Sequence, residues 1–243
     1  MTPALAIDGL TKTYPGFSLG PVSFAVEPGS IVGFIGRNGA GKTTTLKSIL
    51  HIVHPDAGSI RYFGEDFEGN ERSLKPRIGF AGGAVDWYPR KRIRDILDVT
   101  RRFYPNWDEA ANRKYLDAFA LDPAKTPREL SEGMKVKLSL AIALSHRAEL
   151  LLLDEPTSGL DPVSREELLD IFGLLRERGT AILFSTHITS DLDKCADSIA
   201  YIRKGQLVAA GSLADFRAAH GGAVLDDIMV RYEKEDFREK LAE

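Results

Sequence analysis

The chain has 243 residues, 43% of them hydrophobic and 28% charged, the balance of an ordinary globular protein with a full core and no long disordered or fibrous tract. Thirty-two basic against 35 acidic residues leave a net charge of −3, which excludes a strong general attraction to nucleic acid or anionic lipid. Its single cysteine, Cys195, cannot form an internal disulfide and points to a reducing, cytosolic setting. At roughly 150 residues per domain, one or two domains are expected.

The longest stretch without a charge, Thr13–Val26, is 14 residues long and is broken by Pro15, Gly16, Gly20 and Pro21. A membrane-spanning helix needs about 20 apolar residues, so no span is expected. Ala4–Ile7 stops at Asp8 and lacks a basic start, so no secretory signal is expected either.

In chain order, the apolar pieces broken by Pro15, Gly16, Gly20 and Pro21 predict antiparallel strands and turns. Ile31–Ile35, Ile78–Ala81, Leu150–Leu153 and Ala181–Phe184 are short continuous apolar runs, the signature of strands buried on both faces of a parallel sheet. A helix over Thr44–Leu50 follows the first of these. From Val85 to Leu144 the pattern is largely helical. One helix carries Ile93, Ile96, Leu97 and Phe103 and is ended by Pro105, a second runs from Asp108 to Leu121, and a third from Ser131 through Ala143. Leu168, Ile171, Phe172 and Leu175 form one apolar helical stripe. Ile199–Ile202 and Gln206–Ala209 read as a hairpin turned at Lys204-Gly205, and the charged tail Tyr232–Glu243 as a solvated helix. The fold class is therefore α/β, with helices on both sides of a mostly parallel sheet.

The strongest local signal is Gly36-Arg37-Asn38-Gly39-Ala40-Gly41-Lys42-Thr43, followed by Thr44. It fits GxxxxGK[ST] between a strand and a helix, the context in which that motif binds a nucleoside triphosphate. Glycines let the backbone aim its N–H groups inward at an anion, and the helix N-terminus adds positive potential. Lys42 would reach the β- and γ-phosphates and the Thr43 hydroxyl would ligate Mg²⁺. Asp154-Glu155 ends the Leu150–Leu153 strand, at the carboxyl edge where open α/β sheets bind ligands. Asp154 is the candidate Mg²⁺ ligand, and Glu155 the candidate base for the attacking water.

A phosphate loop serves kinases, GTPases, helicases and transport ATPases alike. No Asn-Lys-x-Asp guanine-reading segment occurs. Leu130-Ser131-Glu132-Gly133-Met134, Asp154-Glu155-Pro156-Thr157-Ser158-Gly159-Leu160-Asp161 and Ser185-Thr186-His187 follow the loop in that order. This series resembles the nucleotide-binding subunit of ABC transporters over nearly the whole chain.

The resemblance implies a single domain with a P-loop NTPase (RecA-like) core. Its parts would be a core over about 1–84 and 145–215 with an N-terminal antiparallel β subdomain, a helical subdomain over about 85–144, and a tail over 216–243. It implies ATP and Mg²⁺ as ligands, His187 at the γ-phosphate and attacking water, and Tyr14 stacking on adenine (a buried strand tyrosine is the alternative). Ser131, Gly133 and Asp161 would act across an interface with a second ATPase subunit. A separate membrane permease would be driven from the cytoplasmic face of the membrane.

Three positions depart from the usual pattern, the mildest being Met134, where glutamine is usual. Glu132 stands where glycine is usual and would repel phosphate unless it points away. Gly83 falls where the family has a glutamine that contacts Mg²⁺, with Asp86 near enough in sequence to substitute. These departures keep open a weakly hydrolysing regulatory module, beside the more remote alternative of an ABC-type ATPase acting on ribosomes or DNA.

Tyr88-Pro89-Arg90-Lys91-Arg92-Ile93-Arg94 is the one dense basic run, read either as a solvated face or as a docking surface beside a membrane protein. Trp87, Tyr88, Phe103, Tyr104 and Trp107 suit the core of the helical region, although aromatics beside arginines are also what interfaces favour. Phe103-Tyr104-Pro105-Asn106-Trp107-Asp108, with Ser131-Glu132-Gly133-Met134, is similar to one bacterial subgroup of stand-alone exporter ATPases.

Overall fold

The structure, a computed structural model, describes residues 2–82 and 88–242. Its central layer is a six-stranded sheet of β3 (Ile31–Ile35), β6 (Ile78–Gly82), β7 (Leu150–Asp154), β8 (Ala181–Thr186), β9 (Ser198–Arg203) and β10 (Gln206–Ser212), in the order β10-β9-β3-β8-β7-β6. All pairs are parallel except β9/β10, which close the edge as a hairpin through Lys204 and Gly205, both at positive φ. The four apolar runs become the four strands expected of them.

A second, antiparallel sheet has the order β2-β1-β4-β5, from β1 (Leu5–Tyr14), β2 (Phe17–Val26), β4 (Ala57–Tyr62) and β5 (Glu65–Asp66). Alternate residues of the central strands serve opposite cores. Ile31, Leu151, Leu153, Ile182 and Phe184 face the helices. Val32, Phe34, Leu150, Leu152 and Leu183 face the second sheet and α1 (Lys42–Ile49). Burying such a side chain stabilises by about 1.5–3 kcal/mol, so both faces are anchored.

The remaining helices are α2 (Glu71–Leu74), α3 (Ile93–Thr100), α4 (Glu109–Ala118), α5 (Glu132–Leu144), α6 (Pro162–Glu177), α7 (Thr189–Cys195), α8 (Leu213–Ala219) and α9 (Leu225–Ala242). Side-chain caps fix the starts of α4, α5 and α6. Asp108 accepts from Ala110 and Ala111 N–H, Ser131 from Met134 N–H, and Asp161 from Val163 and Ser164 N–H. His146, fully buried after α5, ties the helical region to the sheet. Its Nε2 donates to the Ile78 carbonyl at 3.2 Å, and its ring stacks on Tyr104 at 4.1 Å.

Several expectations are corrected. The α3 helix ends at Thr100, a 3-10 turn follows, and Phe103 is 74% exposed, off the apolar stripe of Ile93, Ile96 and Leu97. Tyr88 is also exposed, whereas Trp107 packs against the core; Trp87 lies outside the described residues. The α4 helix stops at Ala118 because Ala120 turns the chain at positive φ. The α1 helix begins two residues early, at Lys42, inside the glycine-rich loop. The C-terminal helix begins at Leu225, and Leu225 and Ile228 are fully buried. Its first turn is therefore part of the core, ahead of the charged segment from Tyr232 onward. Among the described residues, no helix is long and apolar enough to cross a membrane.

Candidate nucleotide-binding site

The loop between β3 and α1 lies at the carboxyl edge of the central sheet. Gly36 has no room for a Cβ, which would sit 2.4 Å from the Ile202 carbonyl oxygen. Gly41, at φ +115°, caps α1 in a conformation that excludes other residues. Ala40 is buried and its carbonyl accepts from Gly205 N–H at 2.9 Å, so the β9–β10 turn braces the loop. Arg37, Asn38, Gly39 and Thr43 are exposed, and Thr44 is half-buried, along a cleft of about 530 Å³.

Lys42 is only 5% exposed. Its Nζ donates to the Gly36 carbonyl at 2.6 Å and lies 3.2 Å from Glu155 Oε1. Glu155 Oε2 in turn accepts from His187 Nδ1 at 2.7 Å, which assigns the ring's proton to Nδ1 and leaves Nε2 to the cleft. Beside them, Thr43 Oγ1 donates to Asp154 Oδ2 at 3.1 Å. Two sequence signals 111 residues apart thus meet because β3 and β7 both border β8.

Ser185, on β8 and fully buried, organises the acid pair. Its hydroxyl donates to Asp154 Oδ1 at 2.5 Å and accepts from Glu155 N–H at 3.0 Å. Glu155 sits at φ +52°, a left-handed conformation that a residue with a Cβ adopts at a cost. The Glu155 N–H also reaches the Ser185 carbonyl at 3.1 Å, so two contacts to one residue hold the bend. That bend turns the Glu155 carboxylate towards Lys42 and His187.

The remaining site residues lie elsewhere in the chain. Ser131 caps α5, and Gly133 sits in its first turn, where a Cβ would approach the Gly159 carbonyl oxygen to 3.0 Å. The start of α5 thus rests on the loop that leads to Asp161. Asp161 caps α6, and its carboxyl is held below the usual range first by the Ser164 hydroxyl, then by the Ser164 and Val163 N–H groups. None of Ser131, Gly133 and Asp161 lines the phosphate-loop cleft. Glu132 pairs with Lys135 at 2.7 Å and is 71% exposed. Gly83 and Asp86 lie outside the described residues.

Tyr14 ends β1, 38% exposed, with Lys12 Nζ 5.8 Å from its ring centroid. The aromatic ring that lines the cleft is that of Phe17, on the paired strand opposite Tyr14. Sequence reasoning gave no role to Phe17, Ser158 or Ser185. Phe17 reads as one more apolar strand residue, and the two serines entered only as members of the motif series.

A phosphate-loop at the carboxyl edge of a parallel sheet, with a lysine, a hydroxyl, two carboxylates and a histidine converging on it, defines a P-loop nucleotide-binding fold. Residues 19–158 match the ABC transporter family, and the chain belongs to that family. It is 35% identical over 212 residues to the bacitracin transport ATP-binding protein of Bacillus licheniformis, covering 86% of this chain and 69% of that one. It is 38% identical over 196 residues to the Nod factor export ATP-binding protein I of Burkholderia pseudomallei, covering 79% and 64%. With the daunorubicin/doxorubicin resistance ATP-binding protein of Streptomyces peucetius it shares 32% over 231 residues, covering 92% and 70%. The chain thus spans about two thirds of the length of these relatives. A solved ATP-binding subunit of an ABC transporter superposes with a TM-score of 0.85 at 30% identity, covering 94% of this chain and 98% of that one. A nucleotide-free ATP-binding cassette from an ABC transporter shares the fold, with a TM-score of 0.73 at 21% identity over 86% and 91% of the two chains.

Proposed function

We propose that this chain hydrolyses ATP to power a separate membrane permease, as the ATPase subunit of an exporter. The observation that carries this reading is the Lys42–Glu155–His187 cluster beside Thr43 and Asp154. The backbone of Gly36–Thr44 would hold the phosphates. A triphosphate in the loop competes with Glu155 for the Lys42 ammonium, which releases the carboxylate to take a proton from the attacking water. A positioned base of this kind contributes about 10²–10⁴ in rate. His187 holds Glu155 through Nδ1 and offers Nε2 to the γ-phosphate side.

The hydroxyl of Thr43 and the carboxylate of Asp154 are the hard oxygen donors that Mg²⁺ prefers, few enough to leave room for phosphate and water. Bound there, Mg²⁺ would neutralise charge on the phosphate oxygens. Tyr14 and Phe17 are the aromatic candidates for the base. Ser131, Gly133 and Asp161 would complete the site from a second copy, since none of them lines the cleft within one chain.

An exposed apolar groove supports a membrane partner. Phe80, Phe103 and Ile52 are 41%, 74% and 64% exposed, and all three line one hollow of about 370 Å³ beside β6. Clustered exposed apolar side chains mark interaction surfaces, and the exposed basic residues Arg90, Lys91 and Arg92 lie on the same helical region. Export is supported by the relatives' names, which concern bacitracin transport, Nod factor export and drug resistance.

The test is Glu155→Gln. ATP affinity should stay within a few-fold of wild type while phosphate release falls by at least about 10². Turnover at the wild-type rate would contradict the assignment of the base.

A further inference from the structure

His187 is followed two residues later by α7, a helix of seven residues that packs against the sheet, α9 and α6 and faces Arg217 of α8. Against the sheet, Leu192 presses on β3 at Gly33, where a Cβ would lie 2.3 Å from Leu192 Cδ2. Against α9, Thr189 Oγ1 donates to Asp226 at 3.2 Å, and Leu225 N–H donates to Asp193 at 3.3 Å. Against α6, the fully buried carboxylate of Asp191 faces Arg165, with Nε 4.0 Å from Oδ1.

The third contact differs from the others. Among the described residues, neither Asp191 oxygen nor Arg165 Nε has a hydrogen-bond partner. An ion pair whose carboxylate is fully buried with unmet hydrogen bonds, its guanidinium half-buried, is a poor source of stability, because desolvation opposes the Coulomb gain. Its place in the chain suggests another use. Arg165 N–H donates to the Asp161 carbonyl at 3.0 Å, within the first turn of α6. Asp191 is the third residue of α7, four positions beyond His187. The pair therefore bridges the turn at Asp161 and the turn at His187. At 4.0 Å it is also longer than a charge-assisted hydrogen bond of about 2.7–2.9 Å. A shift of α6 against α7 that shortened this distance would couple the two helices at their buried side, opposite the exposed Lys194–Glu166 pair.

We propose that the Arg165–Asp191 pair is a positioning contact that sets His187 against Glu155 and ties its placement to the turn at Asp161. The proposal rests on the roles given above to Glu155 and His187, and its test is read first without turnover. The full chain, labelled with ¹⁵N-histidine, is compared as wild type, Asp191→Asn, Arg165→Gln, Arg165→Lys and the double variant Asp191→Asn/Arg165→Gln. The His187 Nδ1 resonance is assigned by its loss in His187→Gln, and thermal unfolding confirms that each variant folds.

Asp191→Asn and Arg165→Gln should each move that resonance and lower kcat about tenfold with KM changed by less than about twofold. The double variant should be no worse than the worse single, and Arg165→Lys should retain most of the rate. An unmoved resonance in the folded variants, with or without lost thermal stability, would overturn the proposal. So would multiplicative losses in the double variant, or a moved resonance with kcat and KM unchanged. A moved resonance with reduced kcat, alongside a Glu155→Gln variant still at full rate, would keep the positioning pair and remove Glu155 as the base.

Discussion

Glu155 carries the most constrained geometry in the site. Its left-handed backbone is held by both the carbonyl and the hydroxyl of Ser185, and that hydroxyl also donates to Asp154. Replacing Ser185 with alanine removes a buried hydroxyl serving two partners, and such a loss costs about 1–3 kcal/mol. Ser185→Ala should lower the unfolding temperature by several degrees and lower kcat more than it raises KM. Unchanged kinetics in a folded Ser185→Ala protein would show that the clasp is dispensable. Lys42→Ala acts earlier in the cycle. It removes the one buried cation of the loop and should abolish ATP binding in a fluorescent-nucleotide titration, while wild-type affinity would contradict the role given to Lys42.

At the same scale, what the sequence showed and what it hid have one cause. Gly36–Thr43 was legible because all of its chemistry lies within one local motif. Asp154-Glu155 was legible because four leucines lead straight into two acids. Ser185, Phe17, Arg165 and Asp191 take their meaning from partners that lie far off in the chain or have no spacing rule. The Glu155–Ser185 bond spans 30 residues, and the Phe17 ring reaches the cleft only because β2 returns beside it.

Among the elements, β3 and α7 depend on the absence of a side chain. Gly33 sits within a strand of otherwise large apolar residues, and Leu192 occupies the space its Cβ would need. Gly33→Ala should overpack this contact and destabilise by about 1–3 kcal/mol, measurable by urea unfolding. A stability equal to wild type would mean that α7 is free to shift. The four central strands were readable from their continuous apolar runs. The extent of the helices was not, because termini are set by caps and turns rather than by periodicity. Phe103 matched the stripe of α3 in number but falls in the 3-10 turn beyond Thr100. The buried start of α9 was not read because Leu225 and Ile228, fully buried, are followed by a segment dense in charge.

His146 joins the helical region to β6 and gives the fold a pH dependence. Burial holds its pKa below the ordinary value, since the interior penalises the charged ring. The unfolded chain takes up a proton as pH falls below about 6.5, and the folded chain resists it. Stability from this group is therefore fully present above that pH and is lost as pH falls towards the folded value. His51 is shifted in the same sense, again first by burial. Between pH 7.5 and 5.5 the wild-type melting temperature should fall, and His146→Gln should flatten that slope while lowering the plateau. An identical slope in the variant would show that other groups govern the acid limb.

For the whole molecule, one chain supplies only part of the proposed site. Ser131, Gly133 and Asp161 cluster around the loop before α6, away from the chain's own phosphate-loop. The account therefore requires that two copies close around nucleotide, each lending these residues to the other. Light scattering coupled to gel filtration measures this directly on Glu155→Gln with saturating ATP and Mg²⁺. The account predicts a doubling of mass that Lys42→Ala does not show. A Glu155→Gln protein that binds ATP yet stays monomeric, even with its membrane partner supplied, would contradict it.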